Sequence, residues 1–283
     1  MHRDKRALAS QSDQAVMSGP LRFESTQTRC RVILPPTTSG RETVLAFSHH
    51  KAGSTMLYGI LEDLAKIVGV TYVSVPSELF RRGIEPRLVE IDVDWHATGY
   101  CFAGFRFSPG PLPLLETARS ILLVRDPRDA VVSLYYSARE SHPLPSHGAL
   151  RQRLVSRRER ARLTPIDEWV IENHGAVTET LAGYVAQGLL SRRNVAVYRY
   201  EDVIYRKRAW VDDMLSWYGW TAPEDVIEGV VRKYDVFPQK TFPDRHIRQV
   251  HPGNHRNVLR PATCEKLNVC FGDLLAALGY ATG

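Results

Sequence analysis

Apolar residues along this chain fall into short unbroken runs separated by amphipathic stretches. Runs at 43–47, 70–75 (VTYVSV), 100–105 (YCFAGF), 120–124 (SILLV) and 195–200 (VAVYRY) predict strands. They are continuous rather than alternating, as strands buried on both faces are. Stretches with helical spacing at 54–68, 127–140, 165–188, 208–219 and 223–233 predict helices between and after them. Strands alternating with helices imply an α/β fold, with a central, mostly parallel sheet flanked by helices.

The first 42 residues lack this periodicity and are polar, with Pro35-Pro36 and Gly40 near their end. They read as a partly disordered arm, leaving residues 43–283 as a single domain. Composition adds little: 43% hydrophobic and 24% charged residues are ordinary for a globular protein. The net charge of +6 suits an anionic ligand. Cys30, Cys101, Cys264 and Cys270 form no CxxC pair. That argues against a zinc site or a disulfide framework and fits a reducing, cytoplasmic setting. No apolar run reaches the about 18 residues of a membrane span.

Two segments carry chemistry. The first is TVLAFSHHKAGSTML, Thr43 to Leu57. A strand, a loop holding Lys51, Ala52 and Gly53, and a helix opening on Ser54, Thr55 and Met56 make an anion site. First-turn N–H groups and the helix dipole both favour negative charge there. It is no Walker A loop, since Lys51 precedes Gly53 instead of following a second glycine. The second is ILLVRDPRDAVVSLYYSARES, Ile121 to Ser141. A strand ends at Arg125, Pro127 takes the first helical position, and Ser133 lies about two turns in. Arg125 is placed for the crevice outside the carboxyl ends of a parallel sheet, where its planar fork suits a phosphate. The same arginine could instead bridge Asp126 or Asp129.

The pairing resembles the PAPS-dependent sulfotransferase family, with its P-loop-like fold. The family's 5′-phosphosulfate loop reads roughly K-x-G-[ST]-[ST], matched by Lys51, Gly53, Ser54 and Thr55. Its 3′-phosphate Arg and Ser fall on Arg125 and Ser133. Tyr198 to Asp202 looks like the RYED segment, with Tyr200 toward the adenine. His246 to Asn257 is similar to the late R-x-G-x-x-G-x-W-[KR]-N motif, through Arg248, Gly253, Arg256 and Asn257. Val250 and His255 depart from that motif, and Met56 stands where many members have an aromatic residue. The resemblance implies transfer of a sulfuryl group from PAPS to an acceptor hydroxyl or amine, leaving PAP, with no metal. Lys51 then meets charge developing on the leaving 5′-phosphate.

The proton acceptor is less plain. Where the cytosolic branch has the His of K-T-H-x-P, this chain has Phe107, in FRFSP. Neighbouring Arg106 stays protonated and is no base. Glu78 and His96 are the candidates. His49 and His50 stand directly before Lys51, and His49, Arg106 and Phe107 are assigned to the acceptor. The basic run 151–162 (RQRLVSRRERAR) reads as a solvated helix or loop, or as a flap over an acidic substrate.

Two alternatives are a P-loop-like small-molecule kinase and a non-catalytic binder of nucleotide or nucleic acid. The missing Walker A lysine and the lack of a Mg²⁺-holding acid after a strand count against the kinase. The expected acceptor is a small molecule or carbohydrate, bound by loops 76–99, 139–165 and 236–250, with no specific nucleic-acid partner.

Overall fold

The computed structural model describes residues 21–25, 29–107, 112–237 and 249–282. Its strands are β1 (Arg22–Ser25), β2 (Arg29–Ile33), β3 (Val44–Ser48), β4 (Thr71–Val73), β5 (Glu90–Val93), β6 (Tyr100–Phe105), β7 (Ser120–Val124) and β8 (Val195–Arg199). Five of them form one sheet in the order β4-β6-β3-β7-β8, every pair parallel. All residues of β3, β6 and β7 are buried, which is why they read as unbroken apolar runs.

Successive side chains of a strand point to opposite faces. Leu45 and Phe47 of β3 therefore join one core, with Phe102, Leu122, Trp169 and Phe271. Val44 and Ala46 join the other, with Leu57, Leu61, Trp210 and Met214. Each large apolar side chain so buried contributes roughly 1.5–3 kcal/mol.

Helices cover both faces: α1 (Ser54–Ile67), α2 (Val75–Arg81), α3 (Pro127–Tyr136), α4 (Ala149–Leu163), α5 (Ile166–Asn173), α6 (Gly175–Ala186), α7 (Tyr200–Val203), α8 (Lys207–Tyr218), α9 (Glu224–Tyr234), α10 (Asn254–Val258) and α11 (Pro261–Ala277). The helix expected over 165–188 is divided at His174 into α5 and α6. The basic run lies within α4.

The expected arm is not wholly irregular. β2 lies between β1 and β5 in a second, three-stranded sheet. Cys30 and Val32 of β2 are buried in the first core while their neighbours face out. Ordered structure therefore begins before Thr43.

Strand order makes β3 the switch point, because the chain steps out to β4, returns to β6, then crosses to β7 on the other side. A crevice forms outside the carboxyl end of such a strand. Tyr58 donates to the Phe105 carbonyl (2.8 Å) and Tyr184 to the carbonyls of Ser48 (3.1 Å) and Phe105 (3.2 Å). These bonds tie β3 and β6 together at that edge. Among the described residues no helix is long and apolar enough to cross a membrane.

Candidate active site at the carboxyl edge of the sheet

The loop after β3 turns sharply. Lys51 has φ 67° and Gly53 φ 88°. A non-glycine residue there costs roughly 1–2 kcal/mol and is retained where surrounding structure demands it. A Cβ on Gly53 would lie 2.9 Å from Cδ2 of Tyr200, so only glycine fits beneath that ring. Gly53 caps α1 without any side-chain hydrogen bond, leaving the helix's positive end to face the loop. Burial, then Arg125 and Arg106, push the Lys51 ammonium down to about 8. A cation in that setting is offset by an anion.

Arg125 forms the facing wall. It is buried, donates from Nη1 to the Lys51 carbonyl (3.3 Å) and from Nη2 to Asp129 (3.4 Å), and lies 4.4 Å over the Tyr200 ring. Arg125 thus bridges Asp129, and its buried Nε has no partner among the described residues. Ser133 stands half-buried on α3.

Asp129 does more than pair with Arg125. Its carboxylate accepts from the Gly253 N–H (2.7 Å), the His255 N–H (2.9 Å) and His255 Nδ1 (2.7 Å). Burial raises it, but the His255 hydrogen bonds and Arg125 prevail and hold it at about 2. The late motif is thus docked on α3 through Gly253, in the left-handed region at φ 79°, and through His255. Arg248 lies outside the described residues. Tyr200 is buried and donates to the Val250 carbonyl (2.8 Å), so its ring wedges the loop and Arg125 from below.

Three expectations at the acceptor end change. His49 does not face an acceptor. It is fully buried; its Nε2 accepts the Arg125 N–H (3.0 Å), so Nδ1 carries the proton and donates to the His50 carbonyl (3.0 Å). Burial chiefly pushes this ring down to about 4, and it is neutral. His96 is at the wrong edge. It precedes β6, whose far end, Phe105, lies beside Phe47 and the Lys51 loop. The length of β6, about 16 Å, separates the two. Glu78 is on the correct side, after β4, but its carboxylate is held by Arg81 (2.5 Å) and Arg82 (2.8 Å). Both its oxygens are thus engaged by arginines of its own helix end.

The groups that do gather there are Arg106, Phe107 and His50, with Arg87, His142 and Arg157 from the expected loops 76–99 and 139–165. Arg106 follows β6, donates to Ser54 Oγ (3.0 Å) and lies 5.1 Å over the Tyr58 ring. Arg87 lies 5.9 Å from the Phe107 ring. Burial, then Arg106, Arg87, His142 and Lys51, hold His50 well below the usual histidine range. His50 was visible as half of a His pair, and α4 as a basic run; the expected loops contained Arg87 and His142 without singling them out.

The family described as "Sulfotransferase domain" matches residues 110–276, more than half of the chain, starting after the Lys51 loop. No curated protein sequence matches. Among solved structures, a mouse sulfotransferase complexed with PAP is 14% identical, covering 87% of this chain and 91% of that one at a TM-score of 0.56. Retinol dehydratase in complex with androsterone and PAP is 14% identical, over 82% and 80%, at 0.46. A sulfotransferase from Alicyclobacillus acidocaldarius is 16% identical, over 84% and 94%, at 0.43.

Proposed function

The chain belongs to the sulfotransferase family, and on that premise we propose that Lys51, Ala52, Gly53, Ser54 and Thr55 hold the 5′-phosphosulfate of PAPS while Arg125 and Ser133 take its 3′-phosphate. One observation carries this assignment. Arg125 reaches the Lys51 carbonyl, joining the two phosphate motifs, and keeps a buried Nε with no partner among the described residues. The uncapped start of α1 fits the same ligand. PAPS supplies a sulfuryl group that ends on the acceptor oxygen, with PAP departing on the bridging oxygen.

Each residue's task follows from its setting. Lys51 meets the charge developing on the leaving 5′-phosphate oxygen. Ser54, fixed by Arg106, and the first turn of α1 orient the 5′ end. Tyr200 and Met56 bound the nucleotide side, and Gly253 brings the late loop onto the 3′ side. His50 is the proton acceptor in this reading, with Glu78 second. Its ring has no hydrogen-bond partner among the described residues; burial first and then neighbouring cations lower its basicity, and an anion beside it offsets the cations' share. The acceptor is a small molecule or a carbohydrate.

Thermal shift separates the readings. PAP raises the unfolding midpoint, and ATP with Mg²⁺ does not. Stabilisation by ATP with Mg²⁺ alone would favour a kinase. Salt-sensitive binding of single-stranded nucleic acid without any PAP effect would favour a binder. Labelled PAPS with an acceptor panel, read by mass spectrometry, then tests transfer. His50→Gln abolishes transfer and spares PAP binding; full turnover in that variant moves the role to Glu78.

A further inference from the structure

The acceptor end holds more positive charge than a sulfuryl donor engages. Among the described residues, no carboxylate lies within ion-pair distance of Lys51, Arg106, Arg157 or Arg158, whereas neighbouring arginines of α4 do find acids: Arg153 pairs with Glu85 and Arg162 with Glu140. The unpaired pair on α4 is half-buried. Arg157 lies 5.3 Å over the buried Trp169 ring. Arg158 is fixed to the carbonyls of His142 and Ala138. Arg87 is held by Thr180 Oγ1 (3.0 Å), and its one acid, Glu179 at 3.4 Å, is 73% exposed and well screened.

These cations converge on one place. Arg153 of α4 pairs with Glu85, two residues before Arg87, and stands one turn before Arg157, so that face of α4 lies against the Arg87 segment. Beyond burial, Lys51, Arg157, Arg158 and Arg106 also act on His142. His50 feels Arg106, Arg87, His142 and Lys51. Phe80 packs on His142 at 5.8 Å, and Phe107 stands by Arg87, giving the space apolar sides as well. Half-buried like charges without counter-charges are costly. The donor's phosphosulfate settles Lys51 and Arg106. It leaves Arg87 and Arg157.

We infer that the acceptor carries its own anionic group, a carboxylate, sulfate or phosphate, close to the hydroxyl it presents, and that Arg87 and Arg157 hold that group. This rests on the sulfuryl-transfer reading above. The second reading of the basic run, a flap over an acidic substrate, then describes the inner face of α4, and the solvated reading its outer face.

The test uses the full chain saturated with PAP, so that the donor's own anion sites are filled. 4-Hydroxybenzoate, 4-hydroxyphenyl phosphate and a monosaccharide sulfate are each titrated by calorimetry against an uncharged counterpart (methyl 4-hydroxybenzoate, hydroquinone, the unsulfated sugar). At least one anion binds about tenfold or more tightly than its counterpart, as expected of a charge-assisted contact. Which arm binds identifies the anion. Arg157→Met, which keeps a side chain over Trp169, and Arg87→Gln each remove most of that preference, while PAP still raises the midpoint of both variants. Equal or weaker binding of every anion, including no binding at all, overturns the inference. So does a preference that survives both substitutions. Failure of PAP to stabilise the unmodified chain would instead sink the sulfuryl-transfer reading.

Discussion

The two walls of the site treat charge in opposite ways. On the wall proposed for the nucleotide the charged side chains find ionic or hydrogen-bond partners within the protein: Arg125 on Asp129, Arg128 on Asp126 at 2.7 Å, and Asp129 on three further donors. His49 there uses both ring nitrogens. On the acceptor wall Arg106, Arg157 and Arg158 lean on hydroxyls, rings and carbonyls, without an acid among the described residues. The first wall is preorganised for a ligand that does not vary. The second leaves its charge to be met by whatever binds, so its residues are expected to cost stability rather than add it.

That contrast can be broken most directly at Asp129. Asp129→Ala leaves Arg125 buried without its counter-charge and frees the 253–255 turn. About 3–5 kcal/mol of stability is expected to go, read by urea unfolding, and PAP affinity with it. A loss below about 1 kcal/mol would show that the nucleotide wall is not held by this network.

Acid lability follows next. Above pH 6.5 folded and unfolded chains both keep His49 neutral, and its two bonds contribute in full. Between 6.5 and about 4 the unfolded chain takes up a proton that the folded one resists, so stability falls as pH drops. The full step is about 3 kcal/mol. His142, pushed to about 4 chiefly by burial, adds a similar fall in the same window. His49→Gln removes only its own share, seen as a shallower midpoint-against-pH curve.

Lys51→Ala is expected to lower turnover on the order of a hundredfold or more, with a smaller loss of PAP affinity. In the unmodified protein the free ammonium titrates at about 8 and bound anion raises it. PAP binding therefore takes up a proton above that pH, and affinity falls as pH rises through it. Calorimetry in buffers of different ionisation heat reads both. Gly53→Ala, strained at φ 88° and crowded by Tyr200, costs about 2 kcal/mol. Smallest, and opposite in sign, is Arg157→Met: removing a half-buried unpaired cation leaves stability unchanged or raises it by less than about 1 kcal/mol. A clear destabilisation there would make the acceptor wall structural.

How far the sequence carries depends on whether a feature is local. The three central strands β3, β6 and β7 are apolar runs because both faces are covered, and the Lys51 and Arg125 motifs are contiguous. β2 went unread because RCRVI is a short alternation beside a polar tract, legible only once β5 lies next to it. Which of His49 and His50 faces inward is set by the loop's turn and the Arg125 amide, not by residue type. The polarity of the sheet alone places His96, since a residue preceding a parallel strand cannot sit at its carboxyl edge. Arg87, His142 and Arg157 come from three separate segments, and only packing brings them together.

Asp129 links parts of the chain more than a hundred residues apart. The amide hydrogens of Gly253 and His255 are both spent on its carboxylate. They can exchange with solvent only when that carboxylate lets go. Deuterium uptake at these two positions is therefore expected to time the opening of the nucleotide wall, with no acceptor present.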